Sequence, residues 1–182
     1  KDYHTRLRKK AKRLALRLKE SYPNTKSRVC VDSAPILERS FAYRAGMGFF
    51  GKNNMFIVPG HGSYVFLAEI LTTALLSGGD AEPMKDLCGN CTRCLDACPT
   101  GALEGPRRLN ASRCLSYLTI EYESDFDPKT GEKMGKCFLG CDVCQEVCPF
   151  NPVEKSREAS LPSMAEFLKM NDGKFETLFE QT

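Results

Sequence analysis

Nine of the chain's ten cysteines fall between Cys88 and Cys148, and their spacing constrains the fold more than any other feature. The run reads CGNCTRCLDACPTGA over residues 88–102, then a lone Cys114, then CFLGCDVCQEVCPFN over residues 137–151. Three thiolates two residues apart, Cys88, Cys91 and Cys94, can converge on three corners of one iron–sulfur cube when the backbone curls around it. The fourth cysteine, Cys98, precedes Pro99, leaves the curl and points to a second cube. Cys141, Cys144 and Cys148-Pro149 repeat most of this pattern. The spacing therefore predicts two [4Fe–4S] clusters. The first is expected to take Cys88, Cys91, Cys94 and Cys148, and the second Cys98, Cys141, Cys144 and one more. Cys114 and Cys137 compete for the last place. The regular motif wants a cysteine at position 138, where Phe138 stands, and Cys114 is favoured.

Other uses of the cysteines fit less well. A disulfide scaffold needs a secretory context, and no signal segment is visible. Zinc prefers two CxxC pairs over a CxxCxxCxxxCP run. Cys137-x3-Cys141-x2-Cys144 also matches the motif that opens radical SAM barrels, but such barrels need about 200 residues or more, and 38 follow Cys144. Thiolates kept for clusters imply a reducing compartment, so a cytoplasmic location is expected. No apolar run reaches membrane-spanning length.

The 182 residues suffice for one or two domains. Charge is uneven: residues 1–28 hold 11 Lys/Arg against 2 Asp/Glu, and the remainder 15 against 21. A basic excess this local suggests a polyanion partner such as RNA; the plain alternative is a solvated helix face.

Taken in order, residues 3–21 predict an amphipathic helix. Leu7, Ala11, Leu14, Ala15 and Leu18 form one stripe, with Arg6, Lys9, Lys10, Arg13 and Arg17 on other faces. Residues 28–32 predict a buried strand ending at Asp32, with Cys30 a core thiol. A helix is expected from about Ser33-Ala34-Pro35 to Ala45, stopped by Gly46. A carboxylate at a strand end before a helix is where open α/β sheets place ligands, or else it caps the helix. GMGFFGKNN over residues 46–54 allows close backbone approach to a ligand. Residues 55–58 and 63–71 predict strands around a turn holding His61; His61 and His4 carry no signal of their own. Residues 77–87 read as a linker, residues 110–120 as a helix capped by Asn110, and residues 125–135 as an exposed loop. Ser163 to Glu166 has a capping-box pattern before a short helix.

Three stretches together resemble the epoxyqueuosine reductase family: VDSAPILERSFAYRAGMGFFGKNNMFI (31–57), GSYVFLAEILT (62–72), and the cysteine region with its LNASRCLSYLTIE segment (109–121). The resemblance implies an α+β chain. A nitroreductase-like α/β cobalamin-binding part (1–80) would be followed by a bacterial-type ferredoxin domain with two [4Fe–4S] clusters (81–155) and the start of a C-terminal helical region (156–182). The chain starts on Lys1 with no methionine and is expected to be a piece of a longer protein.

The implied activity is reduction of epoxyqueuosine to queuosine at the wobble position of tRNA. Cob(I)alamin fed by the clusters would supply electrons, and Asp32 would act as proton donor with a raised pKa. Asn53, Asn54, Phe56, Ser63, Leu67 and Ser116, with Asp32, are the expected cobalamin contacts, and Tyr117 stands beside Ser116. The resemblance also implies Cys114 as the missing ligand. Expected partners are the tRNA anticodon stem-loop and an external low-potential electron donor, with a monomeric protein and no membrane. The alternatives are an electron-transfer ferredoxin subunit with no chemistry of its own, and a reductive dehalogenase relative.

Overall fold

The computed structural model describes residues 2–77, 81–124, 128–134, 137 and 139–151. The expected region 156–182, with its capping box, lies outside them. The chain divides into two compact units, residues 1–91 and 92–182.

The first unit opens with α1 (Tyr3–Ser21), whose Asp2 side chain accepts the N–H of His4 as an N-cap. Strand β1 (Ser27–Cys30) pairs antiparallel with β4 (Glu69–Thr72), Ser27 opposite Thr72 and Cys30 opposite Glu69. Helix α1 packs on this ribbon. Two strands make a narrow platform, so Leu7, Ala11, Ala15 and Leu18 are only half-buried. Leu14, expected on the same stripe, is instead 59% exposed.

Helix α2 (Glu38–Arg44) begins later than expected, because residues 32–36 are taken up by two tight turns, Ser33 N–H to Val31 O and Ile36 N–H to Ala34 O. Its end follows the sequence. Gly46 sits at φ +66, its N–H bonds Tyr43 O, and the Met47 N–H bonds Ala42 O. That is the double-bonded helix stop in which glycine supplies the left-handed residue.

Strands β2 (Phe49–Phe50) and β3 (Phe56–Ile57) form a second antiparallel ribbon around the GKNN turn. Gly48 has no alternative there, since an added Cβ would lie 2.2 Å from Ile57 O. Phe49 and Ile57 are almost wholly buried and, with Cys30, Val31, Ala42 and Phe56, make this unit's core. Burying side chains of the size of Phe49 or Ile57 stabilises by about 1.5–3 kcal/mol each. The strand expected over 63–71 is confined to Glu69–Thr72, the length that four-residue β1 can pair. All strand pairings among the described residues are antiparallel, so no open parallel sheet is seen there.

The second unit is built on the cysteine repeat. Helix α3 (Arg93–Ala97) packs against α6 (Val143–Glu146). Their turns match bond for bond. Leu95 and Asp96 N–H groups bond Thr92 O, as Gln145 and Glu146 N–H groups bond Asp142 O. The N–H groups of Cys98 and Cys148 reach back three residues to Leu95 O and Gln145 O, and those of Gly101 and Asn151 bond the carbonyls of Cys98 and Cys148. The repeat legible in the sequence is thus a repeat in space.

The hairpin β5 (Leu103–Gly105) with β6 (Arg108–Leu109), a 3₁₀ turn (Ala111–Arg113) and α4 (Leu115–Ile120) complete the described core through Ala102, Leu103, Leu115 and Leu118. Asn110 does not cap α4 with its side chain. Its Oδ1 accepts from Ser112 Oγ and its amide donates to Glu104. The stretch expected as a loop over 125–135 contains α5 (Pro128–Met134). Proline is suited to the first helical position, which needs no N–H partner.

Candidate functional site

In the first unit an open cleft of about 660 Å³ is lined by Asp32, Tyr3, Glu38, Phe50, Phe66 and Leu67, among others. Asp32 stands just past β1 with φ +53, in the left-handed region that few non-glycine residues occupy. Aspartate is among the few that tolerate it. The Ser33 N–H bond back to Val31 O holds this three-residue turn, and Glu38 Oε1 accepts the Asp32 N–H at 2.7 Å. Such strain at a cleft residue points to function.

The Asp32 carboxylate does not cap α2. Its Oδ2 accepts from Tyr3 Oη and contacts His4 Nε2, each at 2.8 Å. These bonds, Tyr3 first and His4 second, hold its pKa below the ordinary 3.8. The expected raised pKa is therefore corrected. Asp32 is exposed, and its two donors outweigh the smaller opposing effect of burial. His4, silent in the sequence, is the residue that sequence reasoning missed. Its partner lies 28 positions away, and no local pattern announces it.

Of the expected cobalamin contacts, Leu67 shares this cleft with Asp32. Asn53 and Phe56 are buried inside the β2–β3 turn, where Asn53 Oδ1 accepts the Met55 N–H. Asn54 takes φ +64 and offers its carbonyl to Arg39 Nη1. Ser63 is half-buried beyond β3. Lys52, in the same turn, donates to the carbonyls of Gly89 and Cys91 at 2.7 and 2.9 Å.

In the second unit the thiols share one neighbourhood. Cys144 is pushed up to about 12, first by burial and then by Cys141, Cys94, Cys114 and Cys98. Cys141 is raised by burial first, then by Cys137, with which it is hydrogen-bonded, and by Cys114. Burial also opposes the Cys98 thiolate, but the N–H groups of Leu103, Thr100 and Ala102 outweigh it and hold that thiol below its usual range. Ala102 N–H lies 3.2 Å from Cys98 Sγ. Sulfurs crowded together, partly buried and met by backbone N–H groups are a donor set suited to a cationic iron–sulfur cluster. Among the described residues no three His, Cys, Asp or Glu side chains close on a single-ion site. A cube holds its thiolates on separate irons and so spreads them wider. Thr119 Oγ1 accepts the Gly140 N–H at 2.9 Å and anchors the approach to Cys141 on α4, which also carries the half-buried Ser116.

A second cleft of the first unit, about 530 Å³, runs beside α1 and is lined by Arg8, Lys12, Lys19 and Lys26 with Leu16 and Val29. No described helix is long and apolar enough to cross a membrane.

Residues 87–151 match the family model described as a 4Fe-4S double cluster binding domain. The chain is 43% identical over 163 residues to the epoxyqueuosine reductase of Cyclobacterium marinum, covering 88% of this chain and 52% of that protein. It is 39% identical over 188 residues to that of Bacillus subtilis, covering 98% and 48%. A solved structure of the Bacillus subtilis enzyme, its catalytic loop swung out of the active site, superposes with TM-score 0.81 at 38% identity over 99% of this chain and 49% of that one. An epoxyqueuosine reductase with an epoxyqueuosine-modified tRNA stem loop superposes with TM-score 0.77 at 37% identity, over 97% and 48%. The chain spans about half the length of these relatives. Sequence and fold together therefore place the chain with the epoxyqueuosine reductase family, along about half of its relatives' length.

Proposed function

We propose that this chain carries the reducing centre of an epoxyqueuosine reductase, which turns epoxyqueuosine at the tRNA wobble position into queuosine and water. The observation that carries the reading is one chain holding both a strained, accessible carboxylate in an open cleft and a double-cluster cysteine repeat. An electron carrier alone would have no use for the Asp32 cleft.

The reaction consumes two electrons and two protons per epoxide. In this reading an external low-potential donor would supply the electrons, and the two clusters and cobalamin, when bound, would provide the redox chemistry at the epoxide carbon. Cys88, Cys91, Cys94 and Cys148 would hold one cluster, and Cys98, Cys114, Cys141 and Cys144 the other. Cys141, Cys94, Cys114 and Cys98 all act on Cys144, which supports a shared thiol neighbourhood for the two clusters. Cys137 and Cys114 both act on Cys141, and Cys114 also acts on Cys144, so both stand near this cluster; Cys114 is taken as the ligand on the family resemblance.

The cleft's size, with Phe50, Phe66 and Leu67 beside Glu38, Arg39 and Ser40, suits a large ligand that has both an apolar face and polar substituents. Leu67 would meet cobalamin directly, and Asn54 and Ser63 through polar contacts. Asn53 and Phe56, being buried, would act by fixing the turn. Asp32 presents a carboxyl oxygen to the cleft and passes a proton to the oxygen released as the epoxide opens. The cationic groove along α1 supports contact with the phosphates of a tRNA stem-loop.

The test is conversion of an epoxyqueuosine-containing tRNA stem-loop by anaerobic protein reconstituted with iron, sulfide and cobalamin. Loss of one oxygen from the modified nucleoside is expected, with no halide release from chlorinated substrates. Halide release without nucleoside conversion would sink the reading.

A further inference from the structure

Both ring nitrogens of His4 face carboxylate oxygens. Nδ1 lies 2.8 Å from Asp2 Oδ1, and Nε2 lies 2.8 Å from Asp32 Oδ2. An ionised carboxylate only accepts hydrogen bonds, and a neutral imidazole has one N–H. Both contacts are hydrogen bonds only when His4 is an imidazolium. The geometry thus puts a proton on His4, next to the carboxylate that needs one.

The surroundings hold it there. Asp2 is also the N-cap of α1 and so is fixed by the helix start. The Tyr3 ring stacks on the His4 ring at 4.0 Å and on Phe66 at 4.2 Å, and its hydroxyl donates to the same Asp32 Oδ2. Tyr3 and His4 both bind Oδ2, so neither engages Oδ1.

We propose that His4 is the proton store behind Asp32. This rests on the reading of Asp32 as the proton donor given above, and it makes His4 a positioning and supply residue that acts through Asp32. In the step, the His4 Nε2–H bond breaks and an O–H bond forms on Asp32. Asp32 then gives its proton to the oxygen leaving the epoxide carbon, so the carboxylate is restored. The two electrons come from the low-potential donor class named above. The neutral imidazole regains its proton from water, which reaches it because the side chain is 30% exposed, and a second passage of the same relay supplies the second proton that lets the oxygen leave as water.

The titrating groups around the pair are Asp2 and Tyr3 on α1, Asp32 after β1, and Glu38 on α2, whose carboxylate takes the Asp32 N–H. Asp2 first and Asp32 second raise His4 above its ordinary 6.5, and Asp32 lies below 3.8. With the folded His4 pKa raised, its contribution is complete below 6.5 and is lost as pH rises through the raised value. With the folded Asp32 pKa lowered, its contribution is complete above 3.8 and is lost as pH falls through the lowered value. The charged pair therefore spans the interval from below 3.8 to above 6.5.

Two measurements on the reconstituted protein test this. The first follows the His4 ring by NMR through a pH titration. Its midpoint should lie above 6.5 and fall in both Asp32→Asn and Asp2→Asn. A midpoint indifferent to Asp32→Asn overturns the proposal whatever the activity. The second is the pH profile of single-turnover conversion. Wild type should lose rate as pH rises through the His4 midpoint. His4→Gln should lack that limb and be about 10²-fold slower at neutral pH, within the range for general acid–base groups. Added imidazole should restore part of the rate to His4→Ala. A His4→Gln profile that superposes on wild type overturns the proton store while leaving the Asp32 reading intact. An Asp32→Asn protein with full activity removes both, and the NMR result still shows whether the pair forms.

Discussion

The ammonium of Lys52 donates to the carbonyl oxygen of Cys91 at 2.9 Å, and to that of Gly89 at 2.7 Å. One cation in the GKNN turn thus fixes the start of the cysteine run within the first unit. Lys52→Met keeps most of the side chain's length and removes the donors. It should leave the fold intact but loosen the backbone between Cys88 and Cys91. The expected result is lower retained iron and faster cluster loss in air than in wild type, measured by iron and sulfide content over time. Unchanged retention would mean that the brace has no bearing on the cluster.

Cys114 and Cys137 separate by the same measurement. In the proposed ligand set, Cys114→Ser should cost about half of the iron, one cluster of two. Cys137→Ser should keep both clusters. The opposite pattern would reassign the ligand.

The groove of Arg8, Lys12, Lys19 and Lys26 predicts a salt effect. Removing one phosphate-contacting cation reduces the slope of log affinity against log salt by roughly 1. Lys12→Gln with Lys19→Gln should therefore flatten the slope for tRNA stem-loop binding by about 2, and weaken binding most at low salt. A slope equal to wild type would mean that these charges are only solvated.

Glu69 gives a stability prediction with a definite sign. Its Oε2 is buried without a hydrogen-bond partner among the described atoms. Its pKa is raised above 4.5, first by burial and then by the charge of Glu38. A raised folded pKa means that stability is complete below 4.5 and is lost as pH rises through the raised value. Glu69→Gln removes that loss, since the amide does not ionise. It should melt at a higher temperature than wild type at neutral pH, the gap closing as pH falls toward 4.5. Parallel melting curves against pH would contradict the assignment.

The parts legible in the sequence were those with local causes. Helix α1 begins and ends where its apolar stripe and Pro23 place it, Gly46 stops α2, and the cysteine spacing folds into two matched turns. The parts that depend on remote partners were not legible. The strand read over 63–71 is limited by the length of β1, which lies about forty positions earlier. The Asp32 environment was misread because the proton-donor role implied by the resemblance called for a raised pKa. The first turn of α1, about thirty residues upstream, instead brings it Tyr3 and His4 as donors. Lys52 carried no signal as a brace, since its acceptors are backbone carbonyls 37 and 39 positions away.

The most direct test of the central claim compares wild type with Asp32→Asn after anaerobic reconstitution, scoring iron, sulfide, cobalt and single-turnover conversion of epoxyqueuosine in a tRNA stem-loop. The account predicts equal metal content in the two proteins and conversion by wild type, with the rate falling by at least about 10²-fold in Asp32→Asn. Equal conversion by both proteins would contradict it.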